Sequence, residues 1–216
     1  MEIKYYFYIA ATVVLIATSF FYGLKFIRKR NFLLAGELFV VTFSATNLLI
    51  NALTEAPLFL QVSLFCDAFS RCFGIPIIGI AGLMTASNRF RPSTFVDLVL
   101  FSLGAVVTVI VWTADFLTGV KPYFYLVLWS AFSIYLVYFA IRLIRVNERL
   151  QALIVLAAMV AAQMIASIYD FYRIPGDDDH VIFYTFALLT WSFLGFAMYC
   201  GYCALERFQK QPYAAM

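Results

Sequence analysis

The chain has 216 residues, of which 64% are hydrophobic, 19% aromatic and 12% charged, with a formal net charge of +3 and a mean hydropathy of +0.91. Soluble domains average about 25% charged residues, so this composition excludes a water-soluble globule and makes a lipid bilayer the expected solvent. The apolar stretches use up nearly the whole chain and leave no patch for binding nucleic acid.

Seven stretches reach the roughly 20 residues that a helix needs to cross the hydrocarbon: 5–24, 32–53, 58–86, 95–116, 122–144, 150–171 and 181–205. They predict an all-α polytopic membrane protein, a seven-transmembrane-helix bundle forming one integral membrane domain over residues 1–216.

Span 1 opens on the aromatic run Tyr5-Tyr6-Phe7-Tyr8 and is followed by Lys25, Arg28, Lys29 and Arg30. It has neither a sizeable basic n-region nor a small-residue cleavage pattern, so it reads as a retained anchor and not as a signal peptide. On span 2, Glu37, Ser44, Asn47 and Asn51 share one face at the helical period.

Span 3 is the most polar. Ser63, Asp67, Ser70, Arg71, Gly74 and Thr85 fall within about 100 degrees of arc. Asp67 and Arg71 lie one turn apart near the middle of the span, and an ionisable residue at such depth is a functional-site candidate whose partner must be named. Pro76 follows, among Gly74, Gly79 and Gly82. Lacking an N–H, it frees the carbonyl of Cys72 and predicts a kink or hinge just past Arg71.

Span 5 opens on Tyr123-Phe124-Tyr125, an expected interfacial girdle, and is followed by Arg142, Arg145 and Arg149. Span 6 aligns Gln163, Ser167 and Asp170. In the next loop, Pro175-Gly176 makes a turn and the run Asp177-Asp178-Asp179 is expected to cap span 7. Span 7 aligns Thr185, Ser192, Tyr199 and Cys203 and precedes Arg207 and Lys210. Cys66, Cys72, Cys200 and Cys203 all fall within spans with no His to complete a tetrahedral site, so free thiols are expected, with no metal and no cofactor.

Basic residues gather after spans 1, 3 (Arg89 and Arg91), 5 and 7. By the positive-inside rule this puts the N-terminus outside and the C-terminus in the cytoplasm. The Tyr6-Phe7-Tyr8 and Lys25-Phe26-Ile27-Arg28 segments recur, at one common offset, as Tyr123-Phe124-Tyr125 and Arg142-Leu143-Ile144-Arg145. That offset maps spans 1 to 3 onto spans 5 to 7 with span 4 as connector, a 3+1+3 parallel repeat. In span count and orientation the layout is similar to the SWEET and PQ-loop group of sugar transporters. No Pro-Gln dipeptide occurs in the chain, so membership does not follow.

Lipid offers polar groups no hydrogen bond, so the stripes should face inward. At about 1.5 Å rise per residue, Arg71 falls near the midplane and Glu37 roughly 8 Å in from the boundary, within reach of an Arg side chain. Asp67, Arg71 and Glu37 are therefore expected as one buried cluster, with Asn47, Asn51 and Gln163 as further substrate-binding or coupling groups. An enzyme is not expected: His180 is the sole histidine and no lysine lies mid-span to form a Schiff base. The leading expectation is a transporter or permease for a small polar solute; the alternative is a seven-span sensor or an accessory subunit of a larger membrane complex. Expected partners are the bilayer, a small-molecule solute, and a membrane protein or second copy. Short loops without a large ectodomain point to a bacterial inner membrane.

Overall fold

A computed structural model describes residues 2–88, 90 and 92–210. Arg89 and Arg91, which contribute to the charge asymmetry, and the segment 211–216 lie outside the described residues. Among those described there are helices and no strands. Seven helices are long and apolar enough to cross a membrane: α1 Ile3–Arg28, α2 Phe32–Thr54, α3 Pro57–Ser87, α4 Thr94–Thr113, α5 Lys121–Arg145, α6 Arg149–Ile168 and α7 Val181–Lys210. Each falls on an expected stretch, which makes this an integral membrane protein.

Local chemistry sets the helix ends. Asn31 starts α2 by accepting the Leu34 N–H at 3.1 Å, while its amide N–H reaches the Gly82 carbonyl of α3 at 2.8 Å. Pro57 opens α3, where its missing N–H costs nothing. Asp177 accepts the N–H groups of Ile182 and Phe183 at 2.9 and 2.8 Å, so the acidic run does cap α7. Several span ends shift by a few residues from those expected, and two of the shifts bear on how the bundle packs. Helix α6 stops at Ile168 and leaves Tyr169 and Asp170 just beyond its end, free to turn toward α3. Helix α7 continues to Lys210 because Glu206 pairs with Lys29 and Gln209 donates to the Ala86 carbonyl, anchoring its last turns.

Six helices close a ring: α1 packs on α2 and α7, α2 on α3, α3 on α5, α5 on α6, and α6 on α7. Helix α4 packs on α3, where Phe69 and Phe73 cover Gly104. Two thirds (67%) of the most apolar stretch of α3 is buried, against 17% in α4, which makes α3 a central element and α4 a peripheral one. The outer face of α4, with Phe95, Leu98, Leu103, Val106 and Ile110 exposed, suits lipid.

At one end the interior is tightly packed. Phe26, Leu34, Leu83, Phe139, Leu143 and Val155 are almost wholly buried. A Cβ on Gly201 would meet Phe139 at 2.8 Å and Val155 at 3.1 Å, so α7 meets α5 and α6 there at close range.

Helix α3 changes register in its middle. It is α-helical over Pro57–Phe69 and Ile80–Ser87, but the intervening Ser70–Gly79 forms the wider i→i+5 turns of a π-helix. Pro76, where a kink or hinge was expected, lies within this widened segment. In that register the carbonyl that Pro76 cannot serve lies five residues back, at Arg71, and not four back at Cys72. Both Arg71 and Gly74 belong to this segment.

Candidate functional site

A cavity of about 460 Å³ occupies the other half of the ring. It reaches from Tyr5, Asn51 and Asp179, at one end of the bundle, down to Ser19, Leu38, Ile75 and Met198 near the middle. Its walls are largely Leu, Val, Ala and aromatic side chains. Asp67 and Arg71 lie on the wall together with Tyr169, Tyr184, Trp129 and Trp191, whereas no residue of α4 does.

Arg71 is buried, and its guanidinium has two carboxylates and two tyrosine rings as neighbours. Nη1 lies 3.7 Å from the Asp67 carboxylate and Nη2 pairs with Asp170. The ring centroids of Tyr169 and Tyr125 sit 3.9 and 4.3 Å from Cζ, within cation–π range. Tyr169 also donates its hydroxyl to Asp67 at 3.2 Å. The group therefore joins α3, α5 and the end of α6. It holds two carboxylates against one cation.

The expected three-member cluster requires correction, because Glu37 is not in it. Glu37 is fully buried, yet among the described residues neither carboxylate oxygen has a hydrogen-bond partner and no ion pair reaches it. Its carboxylate lies directly against Gly74, where any Cβ would collide with it. Rise along a helix fixes depth but not azimuth. Arg71 leaves α3 toward α5 and α6, whereas Glu37 meets the flank of α3 that faces α2. Asp170 takes the position on Arg71 that was expected for Glu37.

The other sequence candidates divide. Asn51 lines the cavity and donates to the Ala56 carbonyl at 3.1 Å. Asn47 is buried but bonds within its own helix, to the Phe43 carbonyl at 2.8 Å. Gln163 ties α6 to α5, accepting from Ser133 at 2.7 Å, and is not on the cavity wall.

Sequence reasoning missed the two tyrosines that clamp Arg71. Tyr125 is buried and belongs to the site, while its neighbour Tyr123 is 61% exposed and fits the girdle. Asp170 already stood on the inward stripe of span 6, and its charge was the one signal available. Pairing it with Arg71 needed the packing of α6 near α3.

Two wall groups lack partners: the buried Trp129 Nε1 and Ser70 Oγ have no hydrogen-bond acceptor or donor among the described residues. Buried polar atoms are nearly always satisfied, so such orphans on a cavity wall mark where a bound molecule can bond.

At the cavity mouth, Asp179 pairs with Lys4 at 2.8 Å and accepts from Tyr5 at 2.7 Å, tethering the start of α1 to the α6–α7 loop. The Lys4 ammonium and the Tyr5 hydroxyl hold the Asp179 carboxyl well below the usual carboxylate range. A second, more polar cavity of about 660 Å³ lies at the opposite end, lined by Arg28, Lys29, Arg30, Tyr202 and Lys210 among others. Between the two cavities the aromatic rings of Tyr22, Phe26, Tyr199 and Tyr202 pack at centroid distances of 5.0 to 5.3 Å.

No protein-family model, curated protein or solved structure matches this chain.

Proposed function

We propose that the chain is a transporter for a small amphipathic solute whose polar end is cationic. The observation that carries this reading is the apolar, aromatic cavity with a half-buried Asp67 on its wall beside an Arg71 already paired with two carboxylates. An anion would have to compete for Arg71 with the two carboxylates already paired to it. A cation can approach Asp67 directly, with Tyr and Trp faces to receive it. The expected small polar solute thus narrows to one that carries an amine.

Two further features support transport over mere packing. The cavity extends from one end of the bundle to its middle, and the aromatic layer of Tyr22, Phe26, Tyr199 and Tyr202 separates it from the second cavity. Alternating access needs such a half-open arrangement, with the binding site near the midplane. The proposed orientation keeps the N-terminus outside and the basic cavity in the cytoplasm, in a bacterial inner membrane. The place of α4 outside the ring accords with a connector between two three-helix repeats.

The test is thermal stability of the purified chain against a panel of primary and quaternary ammonium compounds. A ligand that binds only the folded state at 100 times its dissociation constant adds about 2.7 kcal/mol. We expect at least one ammonium compound to raise the melting temperature, to lose that effect in Asp67→Asn, and to cross liposome membranes only with the wild-type chain. If no ammonium compound shifts the wild type, the cationic reading fails. Binding without flux would favour a sensor or accessory subunit instead.

A further inference from the structure

Glu37 is 1% exposed, and its carboxylate presses on Gly74 in the widened turns of α3. Ser70, within reach of that carboxylate, also has an unpartnered hydroxyl. The described residues around it offer no counter-charge. Arg71 is held by Asp67 and Asp170. Helix α4 presents the Phe101 ring at Gly36, α7 presents Gly195 at Leu38, and α1 presents Ser19 at Thr42. On α3 the titratable neighbours are the Cys66 and Cys72 thiols. A buried carboxylate with no cation beside it among the described residues is far costlier in such a place than a neutral carboxylic acid, whose single O–H needs one acceptor. Ser70 supplies that acceptor, and Ser70 is on the cavity wall.

We propose that Glu37 is a proton-binding site, holding a proton in this conformation and exchanging it with the cavity through Ser70. On release, the Glu37 O–H bond breaks, Ser70 Oγ accepts that proton and passes its own to water in the cavity, and a carboxylate remains on Glu37. That carboxylate adds negative charge behind the cavity wall, so protons and a cationic solute compete. The π segment is the element that controls the path, because return of Ser70–Gly79 to α-helical register would rotate Ser70 and Gly74 away from Glu37. The competition rests on the cation reading of the cavity, whereas the proton site does not.

The test begins with infrared spectroscopy of the purified chain in lipid. The wild type should show a protonated-carboxyl stretch that shifts in heavy water and is missing from Glu37→Gln, which keeps shape and neutrality. In Ser70→Ala the band should remain but exchange its proton several-fold more slowly. Tetraethylammonium binding, followed as pH is raised, should tighten in the wild type by up to about tenfold per pH unit, the dependence of one proton, and stay flat in Glu37→Gln. Absence of the band in the wild type, or its persistence in Glu37→Gln, overturns the proton site. Equal pH dependence in both proteins overturns the competition. If the band behaves as expected while neither tetraethylammonium nor any other compound of the ammonium panel binds the wild type, the proton site stands and the cation-binding function fails.

Discussion

On one flank of α3 the Arg71 guanidinium meets Asp67, Asp170 and two tyrosine rings; three residues further along, Gly74 receives the Glu37 carboxylate with neither oxygen bonded. The first region is saturated and ties three helices together. The second is polar but unsatisfied, and it sits where the helix has left its regular hydrogen-bond register. A membrane helix gains little from interhelical polar contacts, about 0.6 kcal/mol on average, so neither arrangement is explained by packing strength alone. The saturated group can hold geometry and present a carboxylate. The unsatisfied one can change its protonation without dismantling any ion pair.

This contrast predicts different responses to substitution. Arg71→Leu should be the most damaging, because it leaves Asp67 and Asp170 side by side without a cation. We expect a loss of about 3 kcal/mol, the lower end for breaking a buried pair, and abolished ammonium binding. Denaturant titration in detergent measures the first and the melting-temperature shift the second. Arg71→Lys should recover part of the stability but not the two-carboxylate, two-ring geometry, which needs a planar fork. If Arg71→Leu were as stable as the wild type, the saturated group would not be holding α3 to α5 and α6.

Gly74→Ala comes next. Its methyl group would occupy the space of the Glu37 carboxylate, and overpacking of this kind costs about 1–3 kcal/mol. Glu37→Ala in the same chain should relieve most of that loss, since the clash is with this one side chain. A double-mutant cycle reads the coupling directly, and additivity would show that Glu37 does not rest on Gly74.

The smallest effect should come from the mouth of the cavity. Lys4 and Tyr5 lower the Asp179 carboxyl, so the tether contributes at neutral pH and is lost as pH falls below the ordinary carboxylate value of about 3.9. Melting temperature should drop slightly in that acid range for the wild type, and the drop should be shallower in Asp179→Asn. Because the pair is solvent-exposed, added salt should shrink the difference.

The positions of all seven helices were legible from apolar run length, because the bilayer thickness imposes a minimum span that chance rarely supplies seven times in 216 residues. The Asp177 cap was legible too, since capping is a local matter of a few residues. Asp67 and Arg71 were found as an i, i+4 pair for the same reason. What lay beyond the sequence was which face of each helix meets which neighbour. A helical wheel gives an azimuth within one helix but not the rotation of that helix in the bundle.

The sequence by itself therefore determined that this is a seven-helix membrane protein with a charged pair near the middle of its third span and polar stripes on several others. Tertiary structure alone decided that Asp170 and not Glu37 completes the Arg71 group, that Tyr125 is a clamp and not part of the girdle, and that Glu37 stands unpaired against Gly74. It also decided the π register of Ser70–Gly79, which carries Arg71 and Gly74 toward different neighbours. The physical reason is one of range. Burial in lipid and helix capping act on residues close in sequence, whereas the partners of a buried charge are set by how separate helices rotate and pack against one another.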